Sequence, residues 1–405
     1  EYIHRHLNPN AYSYIHPKMQ ELMKETYGIM VYQEDVIKVA HYFAGLDLAE
    51  ADILRRGMSG KFRSRAEFKR VEKSYFDNCQ KLGYPAEIYN EVWRQIESFS
   101  GYSFSKAHSA SYAAESYQSL YLKAYFPLEF IVAVINNFGG FYRTEFYVHE
   151  ARMAGAEIKA PCINQSEYLT SLHEKELYLG FIHVKSLEEK LGQLIPKERE
   201  ENGPYAGLHD FLARIPSKLE QTCILIRLGA FRSTGISKRE LMWQAHLYFG
   251  KGRKAQAEQG LFKSTKTKRF ELPQLEPYPL QDPFDELELL GFPLCNPFDL
   301  LKTKDFGDTF AEDLMQKLGK QIQIVGYLVT TKNTRTIKGD LMHFGCFTDA
   351  KGHVFDSTHF PNTTKKYPFR GLGFYKLIGK VVEDYGYPML EVSEMEKLPM
   401  ISPME

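Results

Sequence analysis

The stretch FSGYSFSKAHSASY, residues Phe99–Tyr112, decides how the rest of the chain is interpreted. It is a glycine-containing turn that carries Tyr102, Lys106 and His108 and leads into a predicted helix. After it, the apolar residues recur at the spacing of one helical face: Ala113, Tyr117, Leu120, Tyr121 and Ala124. Lys106, His108 and Ser109 therefore fall at or just before a helix N-terminus, where free backbone N–H groups favour an anion. The pattern indicates a phosphate site; the alternative is a polar loop held to the core by its aromatic side chains.

A second candidate helix carries an adjacent pair of arginines. Asp47 and Glu50 have the spacing of a capping box, so a helix is predicted to begin there. Its apolar stripe turns Arg56 away from the core and leaves Arg55 on the flank. From the residues alone, two such arginines are either a solvated surface or a phosphate site, because planar guanidinium groups suit phosphate oxygens.

Three runs occur in a specific order: TYGIMVYQE (Thr26–Glu34), EADILRRGM (Glu50–Met58) and Phe99–Tyr112 with its helix. Together they resemble the fingers signatures of bacterial C-family DNA polymerases, the alpha subunit of DNA polymerase III, strongly over residues 1–190. Gly57 stands where the family usually has alanine. The resemblance implies that the incoming nucleotide is bound by five residues: Arg55, Arg56, Tyr102, Lys106 and His108.

Composition limits the class of protein. The 405 residues carry no formal net charge, so any nucleic-acid surface must be local. Five cysteines show no C-x-x-C spacing, which disfavours zinc and disulfide frameworks and predicts a reducing, cytoplasmic setting. We expect no membrane segment, because no apolar run approaches about 18 residues, and no signal peptide. The chain begins at Glu1 without a methionine, so we expect it to be part of something longer.

The fold class predicted is a multidomain protein, mostly α, followed by a small all-β OB-fold barrel. Four regions are expected: fingers (1–175), tandem helix-hairpin-helix units (176–255), a basic linker with a connector (256–315) and the barrel (316–405). The run Phe181–Leu187 contains Lys185, a candidate DNA contact, but lacks the glycines that the family usually has there. Without them, positive φ and close approach to a phosphate are predicted to be difficult.

Residues 251–270 form a basic run with seven Lys or Arg against the single Glu258. Such a run is either a solvated tail or a DNA contact, and the candidate contacts are Lys263, Lys266, Lys268 and Arg269. Inside it, EQGLF resembles the peptides that bind the bacterial sliding clamp, and Gln259, Leu261 and Phe262 are the candidate clamp-binding residues. An exposed Leu-Phe pair on a linker is expected to be buried by a partner.

Residues 321–396 change to a strand pattern, with turns predicted at Lys338-Gly339 and Asp384-Tyr385-Gly386. Five strands suggest an OB-fold, which commonly binds single-stranded nucleic acid. Candidate stacking residues are Phe344, Phe347, Phe360, Tyr367 and Phe369, of which we expect at most two to stack. Phe344 is the candidate DNA contact.

The family carries its catalytic magnesium on an Asp-x-Asp pair and a third aspartate, and no Asp-x-Asp occurs here. Magnesium is therefore implied for the parent polymerase, with no ligand in this chain, and no catalytic residue is assigned. The expected partners are dNTP, primer-template and single-stranded DNA, the sliding clamp and other replisome subunits. The chain alone is predicted to be inactive in DNA synthesis. The alternative is a non-catalytic nucleic-acid-binding or clamp-tethered adaptor built from the same modules.

Overall fold

The computed structural model describes residues 1–9, 11–58, 65–99, 104–250 and 280–402. Contacts divide the chain into a first unit, Glu1–Tyr121, and a second, Leu122–Glu405. The linker residues Gln259, Leu261, Phe262, Lys263, Lys266, Lys268 and Arg269 lie outside the described residues, as does Tyr102.

The first unit is helical, as the sequence predicts. Its helices are α1 (Tyr2–Leu7), α2 (Pro17–Met23), α3 (Gln33–Lys38), α4 (Leu48–Met58), α5 (Arg65–Lys81), α6 (Ala86–Ser98) and most of α7 (Lys106–Tyr125). A π-helical turn, Val39–Phe43, continues α3 and places Phe43 in the core. Phe43 stacks on Tyr84, and Tyr75 donates a hydrogen bond to the Tyr89 carbonyl. These contacts give the unit one aromatic-rich core around α3–α6.

Helix α7 is present, as the spacing of its apolar residues predicts. It ends at Tyr125, and α8 begins at Pro127, as expected for a proline at the first helical position. The predicted apolar face is present, but none of the twenty residues of α7 is buried. The periodicity therefore predicts the helix correctly, but its apolar face is not buried in this structure.

The second unit begins with helices and a small sheet. It contains α8 (Pro127–Asn136), α9 (Thr144–Met153), β1 (Glu157–Lys159), β2 (Ser171–His173) and β3 (Glu176–Tyr178). The strand order is β1-β3-β2, with β1 parallel and β2 antiparallel to β3. The first run of helices therefore ends at Met153, before the boundary at residue 175 that was predicted for the fingers. The strands of this sheet have three residues each, too short for a period-2 pattern to be distinguished.

Four further helices form the helix-hairpin-helix region. They are α10 (Glu189–Asn202), α11 (Leu208–Arg214), α12 (Leu219–Arg227) and α13 (Lys238–Gly250), followed after the undescribed linker by α14 (Gln281–Leu289). Phe181, Phe211 and Phe231 pack in their common core. Gly203 and Gly235 adopt positive φ directly after helical residues and end those helical segments.

A closed five-stranded barrel completes the unit, as predicted. Its strands are β4 (Gln321–Arg335), β5 (Leu341–Thr348), β6 (Val354–His359), β7 (Phe374–Asp384) and β8 (Tyr387–Leu398), and α15 (Pro361–Lys366) follows β6. The order is β4-β5-β6-β8-β7, with β6 and β8 parallel. Both predicted turns are present; Tyr385 and Gly386 both take positive φ, as a two-residue type I′ hairpin requires.

Helix α9 and the segment after α14 attach the barrel to the helices of the second unit. His149 Nε2 donates to the Gly352 carbonyl at 2.8 Å, and Asn296 Nδ2 donates to the Ala350 carbonyl at 3.1 Å. Arg152 Nη2 donates to the Leu294 carbonyl at 2.6 Å. The barrel is therefore held through the β5–β6 turn and the connector.

Candidate nucleotide and nucleic-acid sites

The arginine pair of α4 is placed by the predicted capping box. The Glu50 amide donates to Asp47 Oδ1 at 2.7 Å, and the Asp47 amide donates to Glu50 Oε2 at 3.3 Å. Ala51 and Leu54 are fully buried. As predicted, this orientation leaves Arg56 exposed and Arg55 on the flank of the helix.

Asp52 is the common partner of both arginines. Its Oδ1 accepts hydrogen bonds from Arg55 Nε and Nη2 at 2.9 and 2.7 Å, and its Oδ2 pairs with Arg56. Burial alone raises the pKa of Asp52, but the hydrogen bonds from the two arginines outweigh it and lower the pKa overall. The guanidinium groups are thus held together by one carboxylate, side by side.

The first turn of α7 binds an anion that belongs to the protein itself. Glu34 accepts hydrogen bonds from the Lys106 amide at 3.0 Å, the Ser105 hydroxyl at 2.7 Å and the Ala107 amide at 3.3 Å. Burial raises the pKa of Glu34, and the hydrogen bonds of Lys106 and Ser105 lower it by more. The expectation of an anion at this N-terminus is therefore met by the Glu34 carboxylate.

Lys106 and His108 project from the same first turn. Lys106 Nζ pairs with Glu25, which raises the pKa of the lysine, and lies 5.5 Å from the centre of the Tyr32 ring. His108 is exposed, and its ring centre lies 4.4 Å from that of Tyr112 one turn later. Both side chains are accessible from solvent.

Gln33 and Glu34 connect the arginines to Lys106. Arg55 Nη1 donates to Gln33 Oε1 at 2.8 Å, and the Gln33 amide donates to the Phe104 carbonyl at 2.8 Å. The adjacent Glu34 caps α7. Arg55 and Lys106 therefore both reach the start of α3, and Arg56 shares Asp52 with Arg55. We call Arg55, Arg56 and Lys106 the first cation cluster. Gln33 and Glu34 were not predicted as site residues, although both lie within the run Thr26–Glu34, because their partners are distant in the sequence.

The first hairpin of the helix-hairpin-helix region corrects one prediction. Ser186 adopts φ 62° although it is not glycine. Gln221 holds it there: its Nε2 donates to the Ser186 carbonyl at 3.0 Å, and its Oε1 accepts from the Glu188 amide at 2.7 Å. Positive φ at a non-glycine costs about 1–2 kcal/mol, which these contacts offset. The Lys185 amide donates to the Leu289 carbonyl at 2.7 Å, while its side chain stays exposed.

The second hairpin, residues 228–237, is flanked by Arg227 and Lys238, the second cation cluster. Arg227 Nε pairs with Asp285 Oδ1 at 2.7 Å, and its Nη2 pairs with Glu288 Oε2 at 2.5 Å. Lys238 Nζ lies 2.6 Å from Asp282 Oδ1 and 3.7 Å from Asp285 Oδ2. Asp285 is buried. The acidic residues of α14 thus form structural ion pairs with the second cation cluster.

The barrel separates its candidate stacking residues into two sets. Phe347 is fully buried, and Tyr367 and Phe369 pack against the barrel core. Phe344 and Phe360 are exposed, by 37% and 44%. Phe344 lies on β5 opposite Lys332 of β4 and Thr358 of β6. The β5–β6 face of an OB-fold is its usual ligand surface, so two aromatics remain available for stacking.

Other classes of site find no support among the described residues. Over these ranges, no three His, Cys, Asp or Glu side chains are grouped so as to hold a metal ion. Among the helices that the structure describes, none is both long and apolar enough to cross a lipid bilayer.

Comparison with known proteins places this geometry in a family. Residues 1–83 match the bacterial DNA polymerase III alpha subunit finger domain, and residues 155–241 match a helix-hairpin-helix motif. The DNA polymerase III alpha subunit of Staphylococcus epidermidis is 30% identical over 372 residues, 90% of this chain and 34% of the relative. The alpha subunit of Treponema pallidum is 30% identical over 380 residues, 89% of this chain and 32% of the relative. The chain thus spans about a third of the length of these relatives. It belongs to the family of bacterial DNA polymerase III alpha subunits.

Proposed function

We propose that this chain supplies the nucleotide-binding and DNA-binding parts of a DNA-directed DNA polymerase. The observation that carries the proposal is the first cation cluster. The Arg55 guanidinium and the Lys106 ammonium group reach the start of α3, and Arg56 shares a carboxylate with Arg55. The arginines and the start of α3 lie within the stretch that matches the finger domain. The arrangement suits a triphosphate, because guanidinium groups bind phosphate oxygens in a bidentate way and lysine binds them as a point charge.

We expect the nucleotide to bind by displacing protein carboxylates from the cations of the first cluster. Asp52 and Glu25 are partners of the cluster in the free chain, and the side chains of Arg56, Glu25 and Lys106 are substantially exposed. Exposed ion pairs contribute only about 0–1 kcal/mol each. Phosphate oxygens can therefore replace these carboxylates at small cost. Glu34 keeps the α7 N-terminus filled, so we assign Lys106 and His108 to the phosphates through their side chains rather than through the backbone.

We assign primer-template DNA to the helix-hairpin-helix region and single-stranded DNA to the barrel. Lys185 is exposed on the first hairpin, and Phe344 is exposed on the barrel beside Lys332. The proposed linker contacts are Lys263, Lys266, Lys268 and Arg269, and the proposed clamp contacts are Gln259, Leu261 and Phe262. Replacing Leu261 and Phe262 with Ala should abolish capture by the sliding clamp and leave binding to short DNA unchanged.

The nucleotide proposal is tested by Arg56→Ala and His108→Ala, with equilibrium binding of a dNTP measured in the presence of primer-template DNA. Each charge-assisted contact contributes about 1.5–3 kcal/mol, so each variant should bind dNTP roughly 10- to 150-fold more weakly. DNA affinity should be unchanged. The matched control is Arg94→Ala, which removes another exposed arginine from an i,i+3 pair, with Glu91 on α6. Loss of DNA binding with unchanged dNTP binding would contradict the assignment.

A further inference from the structure

The segment between α8 and α9 exposes aromatic side chains in an unusual way. Residues 137–143 read NFGGFYR, with Phe138, Phe141 and Tyr142 grouped around a Gly-Gly pair. Phe141 is 100% exposed and Tyr142 is 39% exposed. A phenylalanine side chain fully in water forgoes about 1.5–3 kcal/mol of burial free energy. We therefore expect a ligand to bury Phe141 in the functional complex.

The backbone of this segment is held in place by α9. Tyr147 Oη accepts hydrogen bonds from the Phe141 amide at 3.0 Å and the Tyr142 amide at 3.5 Å. Gly140 has φ 84°, and a Cβ there would lie 1.7 Å from Tyr147 Oη, so only glycine allows this approach. Phe141 is therefore presented from a fixed backbone, which reduces the entropy lost when a ligand stacks on it.

The same segment is connected through α9 to the β5–β6 turn of the barrel. The Tyr142 ring centre lies 4.6 Å from that of Phe146, and the Phe146 ring centre lies 6.3 Å from that of His149, which donates to the Gly352 carbonyl in that turn. Cys346 and Asp356 are register partners on these strands, and Cys346 lies two residues after Phe344, on the same face. Burial, and then the proximity of Cys346 and Asp356, raise the pKa of the Tyr142 phenol. The ring contacts through α9 therefore place Tyr142 near the end of the β5–β6 face that carries Phe344, which lies two residues, about 7 Å, beyond Cys346 along β5.

We propose that Phe141 and Tyr142 extend the β5–β6 face into one base-stacking surface for single-stranded DNA. The inference rests on the proposed function of the barrel and adds two residues from outside it. Bases stack on aromatic faces whatever their sequence. Lys332 and Lys365 are the candidate phosphate contacts of this surface. Lys332 is the register partner of Phe344, and Lys365 of α15 lies 3.7 Å from Asp340 in the β4–β5 turn.

The test is Phe141→Ala, with oligo(dT) binding to the full chain measured by fluorescence anisotropy. Loss of one stacked base should weaken binding about 5- to 150-fold. The salt dependence should not change, because no charge is removed. Phe138→Ala is the matched control: it has the same residue type on the same segment and is also exposed, but its ring lies against His183. It should bind oligo(dT) as the unmodified chain does.

Phe141→Trp provides a second readout. It should restore affinity, and its fluorescence should be quenched by oligo(dT) beyond the change seen with Trp93 and Trp243 in the unmodified chain. Weakened binding by Phe344→Ala with no effect of Phe141→Ala and no added quenching would overturn this inference alone. Failure of the unmodified chain to bind oligo(dT) would overturn both this inference and the single-strand function of the barrel.

Discussion

The two cation clusters use similar residues in different surroundings. The first, Arg55, Arg56 and Lys106, pairs with carboxylates that are partly or largely exposed, Asp52 by 33% and Glu25 by 68%. The second, Arg227 and Lys238, pairs with Asp285, whose side chain is only 9% exposed. In the first cluster a ligand can replace the carboxylate. In the second, replacement would leave a buried carboxylate without its cation, which is unfavourable.

The comparison shows that a count of basic residues does not locate a phosphate site. Flanking a hairpin, Arg227 and Lys238 have the sequence position expected of a DNA contact. However, α14 supplies Asp282, Asp285 and Glu288 to them from across the undescribed linker. Burial of the partner, rather than the number of cations, determines whether a cation is available to a ligand.

The largest expected effect is on stability. Arg227→Ala leaves Asp285 buried without its main partner, so the second unit should lose about 3–5 kcal/mol of unfolding free energy. Arg56→Ala should change the stability of the first unit by less than about 1 kcal/mol. Urea unfolding followed by fluorescence separates the units, because Trp93 lies in the first and Trp243 in the second. Equal losses in both variants would remove the distinction between the clusters.

The pH dependence of the unfolding free energy should also differ between the surroundings of the two clusters. Burial raises the pKa of Glu286 on α14 to about 7, and Asp282 and Asp285 add to the shift, while the carboxyl groups of Asp52, Glu25 and Glu34 have lowered pKa values. Because the unfolded state releases the Glu286 proton first, stability of the second unit should fall as pH rises from about 5 to 7. The carboxylates around the first cluster should instead lose their stabilising effect as pH falls towards 4 and below.

Glu286→Gln isolates this effect. The difference in unfolding free energy between this variant and the unmodified chain should grow by about 2–3 kcal/mol between pH 5 and 8. The comparison with the variant is needed because burial lowers the pKa of His183 and His359 to about 4, which gives the opposite slope between pH 4 and 6.5. A pH-independent difference would mean that Glu286 ionises normally in the folded chain.

The smallest expected effect is a gain of affinity. Asp52→Asn removes the anion that a triphosphate must replace, so dNTP binding should tighten up to about five-fold, the equivalent of about 1 kcal/mol. Glu91→Gln, which releases Arg94 in the same way, should leave dNTP affinity unchanged. Asp282→Asn should leave DNA affinity unchanged because Asp285 still holds Lys238. Weaker dNTP binding by Asp52→Asn would indicate that Asp52 positions the arginines for the ligand.

Local sequence patterns correctly predicted the structural features that depend only on residues close together in the sequence. The capping box of α4, the orientation of Arg56 and the Tyr385-Gly386 turn are all present, because caps, helical faces and tight turns are set over a few residues. The partners of the cations were not predicted. Glu25 is 81 residues from Lys106, and Asp285 is 58 from Arg227, so only the tertiary fold brings them together. The positive φ of Ser186 was missed for the same reason, since Gln221 on α12 holds it.

Helix α7 has a consequence for the dynamics of the first unit. Most helices in folded proteins persist because one face is buried, and none of the twenty residues of α7 is. Its Ser111 and Ser116 hydroxyls also bond back to the carbonyls of Ala107 and Tyr112, which slightly destabilises a helix. Its amide protons should therefore exchange with solvent through local opening, far faster than those of α4 or α6. Glu34 holds the backbone of the first turn, and near the other end Lys123 pairs with Glu150 of α9, so opening should be most frequent in the middle turns of α7.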